Sequence, residues 1–269
     1  MTDAAASLEA TVPARAASGD GPLRWGLGAL GFILLIAVWE VSGRMGWLNP
    51  IIASSPSRIW TAFLRQAASG DLTKDLATSM IEFGIGFGLA IVFGVAVGIA
   101  MGLSRALEYA IDPFVWFLYS SPLIAFYPLL IVWLGFGFAT VVAVAFLLSF
   151  VSIVVNAMAG VHAVEPSLVR AVLAFGGNRR DVVMKVVLPA SVPHILAGAR
   201  IGLGRALHGV VLGEMFGSND GLGYSISRYA SQLKTADVFV PLLTLIVLGI
   251  VINQLSGVLE ARLLAWRRA

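Results

Sequence analysis

The sequence predicts an all-α membrane protein with six transmembrane helices and a long loop between the fourth and fifth. Three observations carry that prediction. Of 269 residues, 58 % are hydrophobic and only 12 % charged, where a soluble domain carries ~25 % charged residues; mean hydropathy is +0.90. Six runs reach the ~20 mainly apolar residues that a bilayer core demands. Twenty-nine glycines accompany zero cysteines, which suits helices packed closely in lipid. A soluble enzyme, a disordered chain and a coiled coil are excluded, because there are too few charges to cover a water-facing surface. The missing cysteines also remove disulfides, thiolate metal sites and cysteine nucleophiles.

In chain order, residues 1–22 form an Ala-rich polar tail with no packing pattern, which predicts a disordered cytoplasmic segment followed by a membrane domain over 23–269. The first span is placed at 24–42. It lies behind an Ala-rich polar tail of more than twenty residues and no small-residue cleavage pattern follows, so it reads as an uncleaved span. Residues 56–68 read as a short amphipathic helix outside the membrane. The second span, 79–102, holds Gly84 and Gly88, then Gly94, Gly98 and Gly102, a small-residue stripe that reads as a packing face.

The third span, 112–134, is interrupted by Pro122 and Pro128. Each proline removes a backbone hydrogen bond, and freed carbonyls in lipid need protein or a water-filled cavity. Ser120, Ser121 and Tyr127 therefore become candidate pathway residues, with a kinked structural helix as the equal rival. In the fourth span, 138–158, Ser149, Ser152 and Asn156 share one helical face. Interhelical hydrogen bonds explain that stripe as well as solute contact does. The fifth span, 194–215, carries Arg200, Arg205 and His208. Arg205 and His208 lie one turn apart, about 15 Å into the membrane, where a cation must face the bundle interior, water or a carboxylate. An inward-facing pair suits an anion; snorkelling, or pairing with Glu214 or a partner chain, are the other readings. The sixth span is placed at 238–258. With the N-terminus inside, twelve lysines and arginines fall on the cytoplasmic side and six outside, so both termini are assigned to the cytoplasm.

The loop at 160–193 is too long for a simple bundle connection and has its own pattern. Pro166 opens a helix with Leu168, Val172 and Phe175 along one stripe, and Gly176 with Gly177 stops it. Asn178 caps a second helix, with Asp181 three residues on. Val182, Val183, Val186 and Val187 line one face, and Pro189 closes the segment. Two short amphipathic helices on a cytoplasmic elbow make a docking surface; a helix lying in the membrane interface is the alternative.

Here the residues resemble a known family. Arg170, Ala171 and Val172, then Gly176 after three residues, then Val186, Val187, Leu188 and Pro189 after nine more, are similar to the EAA signature of ABC importer permeases. The glycine and Leu-Pro positions match; Arg170 stands where the family has glutamate and Val172 where it has its second alanine. Residues 122–137, 193–200 and the Gly221, Leu222, Gly223, Tyr224 turn resemble the nitrate/sulfonate/taurine branch, so the likeness covers roughly 40–268. It implies a bacterial inner-membrane permease, with no catalytic residue and no metal of its own. Its partners are cytoplasmic ABC ATPases that bind ATP and Mg, an external binding protein, a second permease copy as a homodimer and the lipid bilayer, with no nucleic acid. The coupling residues are then Arg170, Ala171, Gly176, Leu188 and Pro189. The residues agree with an ATPase elsewhere: none of the three lysines follows a glycine, so no GxxxxGK[ST] loop exists.

Two rival classes fare worse. A secondary solute transporter commonly shows mid-membrane carboxylates or inverted repeats, whereas Glu40, Glu82 and Glu214 fall near span ends. A membrane enzyme lacks support from three scattered histidines, His162, His194 and His208.

Overall fold

A computed structural model describes residues 21–265 other than 48, 50 and 51, with residues 21–25 described by backbone alone. Most of the tail assigned to 1–22 lies outside the described residues, while Gly21 and Pro22 already belong to the first helix. The chain divides into two units, Met1–Arg58 and Ile59–Ala269.

In the first unit, α1 (Gly21–Arg44) holds the first span. It is apolar all round: Phe32, Ile33, Leu35 and Val38 are all exposed, as lipid-facing side chains should be. Near its C-terminal end Glu40 pairs with Arg44 at 2.5 Å and accepts the Ser57 amide at 2.9 Å.

The second unit opens within α2 (Pro56–Ser69), the expected short amphipathic helix. Then α3 (Asp71–Leu103), α6 (Phe138–His162) and α9 (Leu188–Gly217) form the core, and α6 is clasped between the other two. The clasp is built from absent side chains. A Cβ on Gly86 would lie 2.8 Å from the Ala145 Cβ, and one on Gly209 would lie 2.7 Å from the Ala145 Cα. Ile153 is held the same way, between Gly94 and Gly202. Close backbone approach of this kind is how helices associate where lipid offers no hydrophobic drive. The α3 stripe is thus Gly86, Ala90, Gly94, Gly98 and Gly102. Gly84 and Gly88, expected to belong to it, stand about 200° away from it by two-residue offset, with open space where a Cβ would go.

The third span is broken. Its first part, α4 (Arg105–Ser120), starts directly after Ser104, whose hydroxyl accepts the Leu107 amide as an N-cap. Ser121 is extended, as the residue before a proline tends to be. A 3₁₀ turn (Leu123–Phe126) leads to α5 (Tyr127–Leu134), bent 94° from α4. Pro122 makes the break, whereas Pro128 sits in the first turn of α5, where its missing N–H costs nothing.

The elbow begins with α7 (Pro166–Ala174). Gly176, at φ +81°, reverses the chain, and the Gly177 amide closes onto the Val172 carbonyl at 2.9 Å. Asn178 and Asp181 form the reciprocal capping box at the start of α8 (Arg179–Val182), each bond 3.0 Å. One expectation fails here: Pro189 does not close the segment. A single π-helical turn (Val183–Val187), in which the Leu188 amide reaches back to the Val183 carbonyl, joins α8 to α9. The result is one 39-residue helix, Arg179–Gly217. The wider turn gives the proline ring room without ending the helix. After α9, α10 (Leu222–Ser231) lies at the far end of the bundle from the elbow, and α11 (Thr235–Leu263) carries the sixth span. Counting the bent pair as one span gives six.

Candidate functional site

The broken third span faces the middle of α9, and a cavity of about 380 Å³ opens between them. Its wall comes from Leu118, Tyr119, Ser121, Pro122, Leu123 and Ile124 at the break, Leu148 and Val151 on α6, and Arg205, His208 and Leu212 on α9. Arg205 is the one charged residue in that lining. Its guanidinium lies over the Tyr119 ring, 5.3 Å from the centroid, a cation–π contact that leaves the in-plane N–H fork available to an oxyanion. Among the described residues Arg205 has no ion-pair partner. Glu214, the rival partner, is engaged elsewhere, and Arg200 pairs with Glu260 at 3.3 Å. The cavity therefore offers a half-buried cation and an imidazole at one end and mostly apolar side chains around the rest.

The residues expected to line a pathway divide into two groups. Ser121, Arg205 and His208 come together in the cavity. Ser120 turns back onto its own helix, donating to the Trp116 carbonyl at 2.8 Å. Tyr127 is buried and donates to the Gly213 carbonyl at 2.9 Å, tying α5 to α9. Ser149 donates to the Ala145 carbonyl at 2.7 Å, and both Ser149 and Ser152 are buried on the face where α6 meets Gly198 and Gly202. The neighbouring residues Leu148 and Val151 are the ones that reach the cavity. Tyr119 was not singled out from sequence; an aromatic residue three positions before the breaking proline was the available signal.

At the elbow, Arg170 and Ala171 are exposed on α7 and Gly176 shapes its end, while Leu188 and Pro189 sit in the first turn of α9. Leu168, Leu173 and Phe175 are exposed on α7, Phe175 at 93 %. In sequence, Phe175 is flanked by Arg170, Arg179 and Arg180, all exposed.

At the opposite end, a polar cluster that sequence reasoning only brushed fixes the turn between α9 and α10. Ser79 donates to Glu214 at 2.5 Å and accepts the Leu222 amide at 3.0 Å. The Gly223 amide donates to Glu214 at 2.6 Å, and the Gly221 amide to Asp75 at 3.3 Å. Gly221 is obligatory on two counts, φ +102° and the Glu214 carboxyl where its Cβ would be. Nearby, a larger cleft of about 650 Å³ is lined by Arg65, Asp71, Arg228, Lys234 and Asp237 among others. Arg65 there is neutralised by Asp237.

Known proteins agree with this architecture. The profile of the family described as binding-protein-dependent transport system inner membrane component matches residues 90–265. The putative aliphatic sulfonates transport permease protein SsuC of Bacillus subtilis is 32 % identical over 99 % of this chain and 98 % of its own length. The formylaminopyrimidine transport permease protein ThiX of Halalkalibacterium halodurans is 32 % identical, covering 88 % and 94 %. The taurine transport system permease protein TauC of Escherichia coli is 28 % identical, covering 87 % and 86 %. Among solved structures, an inward-facing MetNI methionine ABC transporter superposes with a TM-score of 0.61 at 20 % identity, over 78 % of this chain and 99 % of that one. The secondary-transporter and membrane-enzyme readings fall away, and the chain belongs to the binding-protein-dependent inner membrane components, the permeases of ABC importers.

Proposed function

We propose that this permease forms the pathway for a small anion of the sulfonate, taurine or nitrate kind, in an importer driven by separate ATPases and fed by an external binding protein. The observation that carries the reading is Arg205, a cation without a carboxylate partner, at the polar end of an otherwise aliphatic cavity. A sulfonate head would engage the guanidinium fork and a short alkyl body the Leu123, Leu148 and Leu212 side. The names of the SsuC and TauC relatives support that chemistry. Two copies pair, both termini are cytoplasmic, and ATP and Mg bind on the ATPases, which seat the α7 elbow. Closure of the ATPases draws the two elbows together and exposes the pathway alternately to either side.

The test uses the permease reconstituted in vesicles with its cognate ATPase and binding protein. Arg205→Ala abolishes uptake while the subunits still co-purify; normal uptake by that variant removes the anion reading. Gly176→Asp, which forces a side chain into a left-handed backbone position, uncouples or releases the ATPase. Unchanged co-purification and transport-linked hydrolysis would contradict the docking assignment.

A further inference from the structure

The short helix α2, at the end of the bundle opposite the elbow, leaves an apolar surface exposed. At about 100° per residue it divides into three arcs. Ile59, Ala62 and Gln66 are buried. Thr61, Arg65 and Ser69 form an exposed polar arc beside them. The third arc, about 140° wide, holds Phe63, Ala67, Trp60, Leu64 and Ala68. Trp60 is 61 % exposed and Leu64 51 %, and the Trp60 and Phe63 rings stack with centroids 5.4 Å apart. A surface helix between core and water needs one apolar and one polar face. A second apolar face, rich in aromatic area, calls for something to cover it.

The position of α2 says what that is. Gln66 donates to the Asp237 carbonyl at 3.3 Å and to its carboxylate at 3.1 Å, and Arg65 pairs with the same carboxylate. Asp237 lies in the first turn of α11, one residue before the sixth span at 238–258. The C-terminal end of α2 is joined to α3 through Gly70 alone, at φ +80°. Both neighbours are membrane-spanning helices with exposed apolar side chains, Ile246 and Val247 on α11, Ile81 and Ile85 on α3. The helix is thus tied to the mouths of two spans, where hydrocarbon gives way to headgroups, the level that tryptophan favours. It contains no acidic residue, and basic residues beside an aromatic and aliphatic arc are the composition of helices lying in a membrane surface. Its polar arc opens instead on the cleft that Arg65 and Ser69 share with Arg228 and Lys234.

We propose that α2 is an interfacial anchor, lying in the plane of the bilayer surface with Trp60, Phe63 and Leu64 sunk into the lipid boundary and the polar arc toward water. Lipid is the occupant of the free face. A transient protein partner would leave that arc bare to water each time it departed, whereas lipid covers it continuously. Through Gln66 and Arg65 the anchor holds the first turn of α11 at the membrane surface.

The chain has no cysteine, so a nitroxide label can be set at one position at a time in the full chain, reconstituted in vesicles of phosphatidylethanolamine and phosphatidylglycerol. Leu64→Cys and Ala67→Cys report on the apolar arc and Ser69→Cys on the polar one, all at exposed positions. Spin relaxation by oxygen, which concentrates in lipid, is compared with relaxation by a water-soluble nickel chelate. The oxygen-to-nickel ratio should be severalfold higher at 64 and 67 than at 69. Equal ratios on the two arcs overturn the proposal. Labels at 64 and 67 shielded from both reagents overturn it too, because the face then belongs to another protein surface, such as a second copy of the chain. Adding the external binding protein should leave the ratios unchanged; loss of access to both reagents would assign the face to that protein instead. If one label disturbs assembly, the other decides. No readout involves the solute, so the anchor stands or falls apart from the anion reading.

Discussion

The third and fifth spans are both punctuated by prolines, yet one is bent through 94° and the other runs unbroken for 39 residues. At Pro122 the preceding Ser121 takes extended angles, φ −77° and ψ 141°. Before Pro189 the corresponding Leu188 stays helical at φ −61° and ψ −50°, against the usual steric preference. Two things separate them. The fifth span has a π turn just ahead of its proline, and the Ser191 hydroxyl donates to the Val187 carbonyl at 2.7 Å. It is also gripped along its length, from Gly198 to Gly213, by α6. The junction of α4 and α5 has no such grip, because a cavity lies on one side of it. Proline makes a break available; packing decides whether it happens.

Four substitutions probe that contrast. The largest effect belongs to Pro122→Ala, which lifts a helix-breaking penalty of about 3 kcal/mol and lets α4 continue past Ser121. The Leu123 and Ile124 wall then leaves the cavity, so uptake collapses while the complex still assembles; unimpaired uptake would mean that the break is incidental. Next is Gly209→Val, which drives a branched side chain into the Ala145 backbone. It should cost about 1–3 kcal/mol, read as a lower melting temperature in detergent, whereas Gly88→Ala, facing open space, leaves melting unchanged or slightly raised. Smallest is Pro189→Ala. If packing holds the fifth span straight, stability changes by less than about 1 kcal/mol and the elbow keeps its position in cysteine cross-linking.

Much of this architecture was legible in the chain, for identifiable reasons. Hydropathy placed all six spans, because lipid tolerates little else at those positions. The capping box of Asn178 and Asp181 and the stop at Gly176 are local chemistry and emerged as local chemistry. What escaped was phase and distance. Four-residue glycine spacing identifies a stripe without saying which side of α3 it occupies, so Gly84 and Gly88 were grouped with residues on another face. Ser149 and Ser152 were named as pathway residues when Leu148 and Val151, one position earlier, face the cavity. The meeting of Ser79 with Glu214 depends on two spans coming together across 135 positions, and no local pattern announces it.

The continuity of the helix from Arg179 to Gly217 has a mechanical meaning. Arg179 begins the elbow's second half and Arg205 stands 26 residues farther along, about 39 Å at 1.5 Å per residue. No joint intervenes except the π turn, which lies on the elbow side of both prolines. One wall of the cavity is thus continuous with the elbow through an unbroken helix, whereas the opposite wall is interrupted at Pro122, so a displacement of the elbow would reach the first without a joint and the second only across a break.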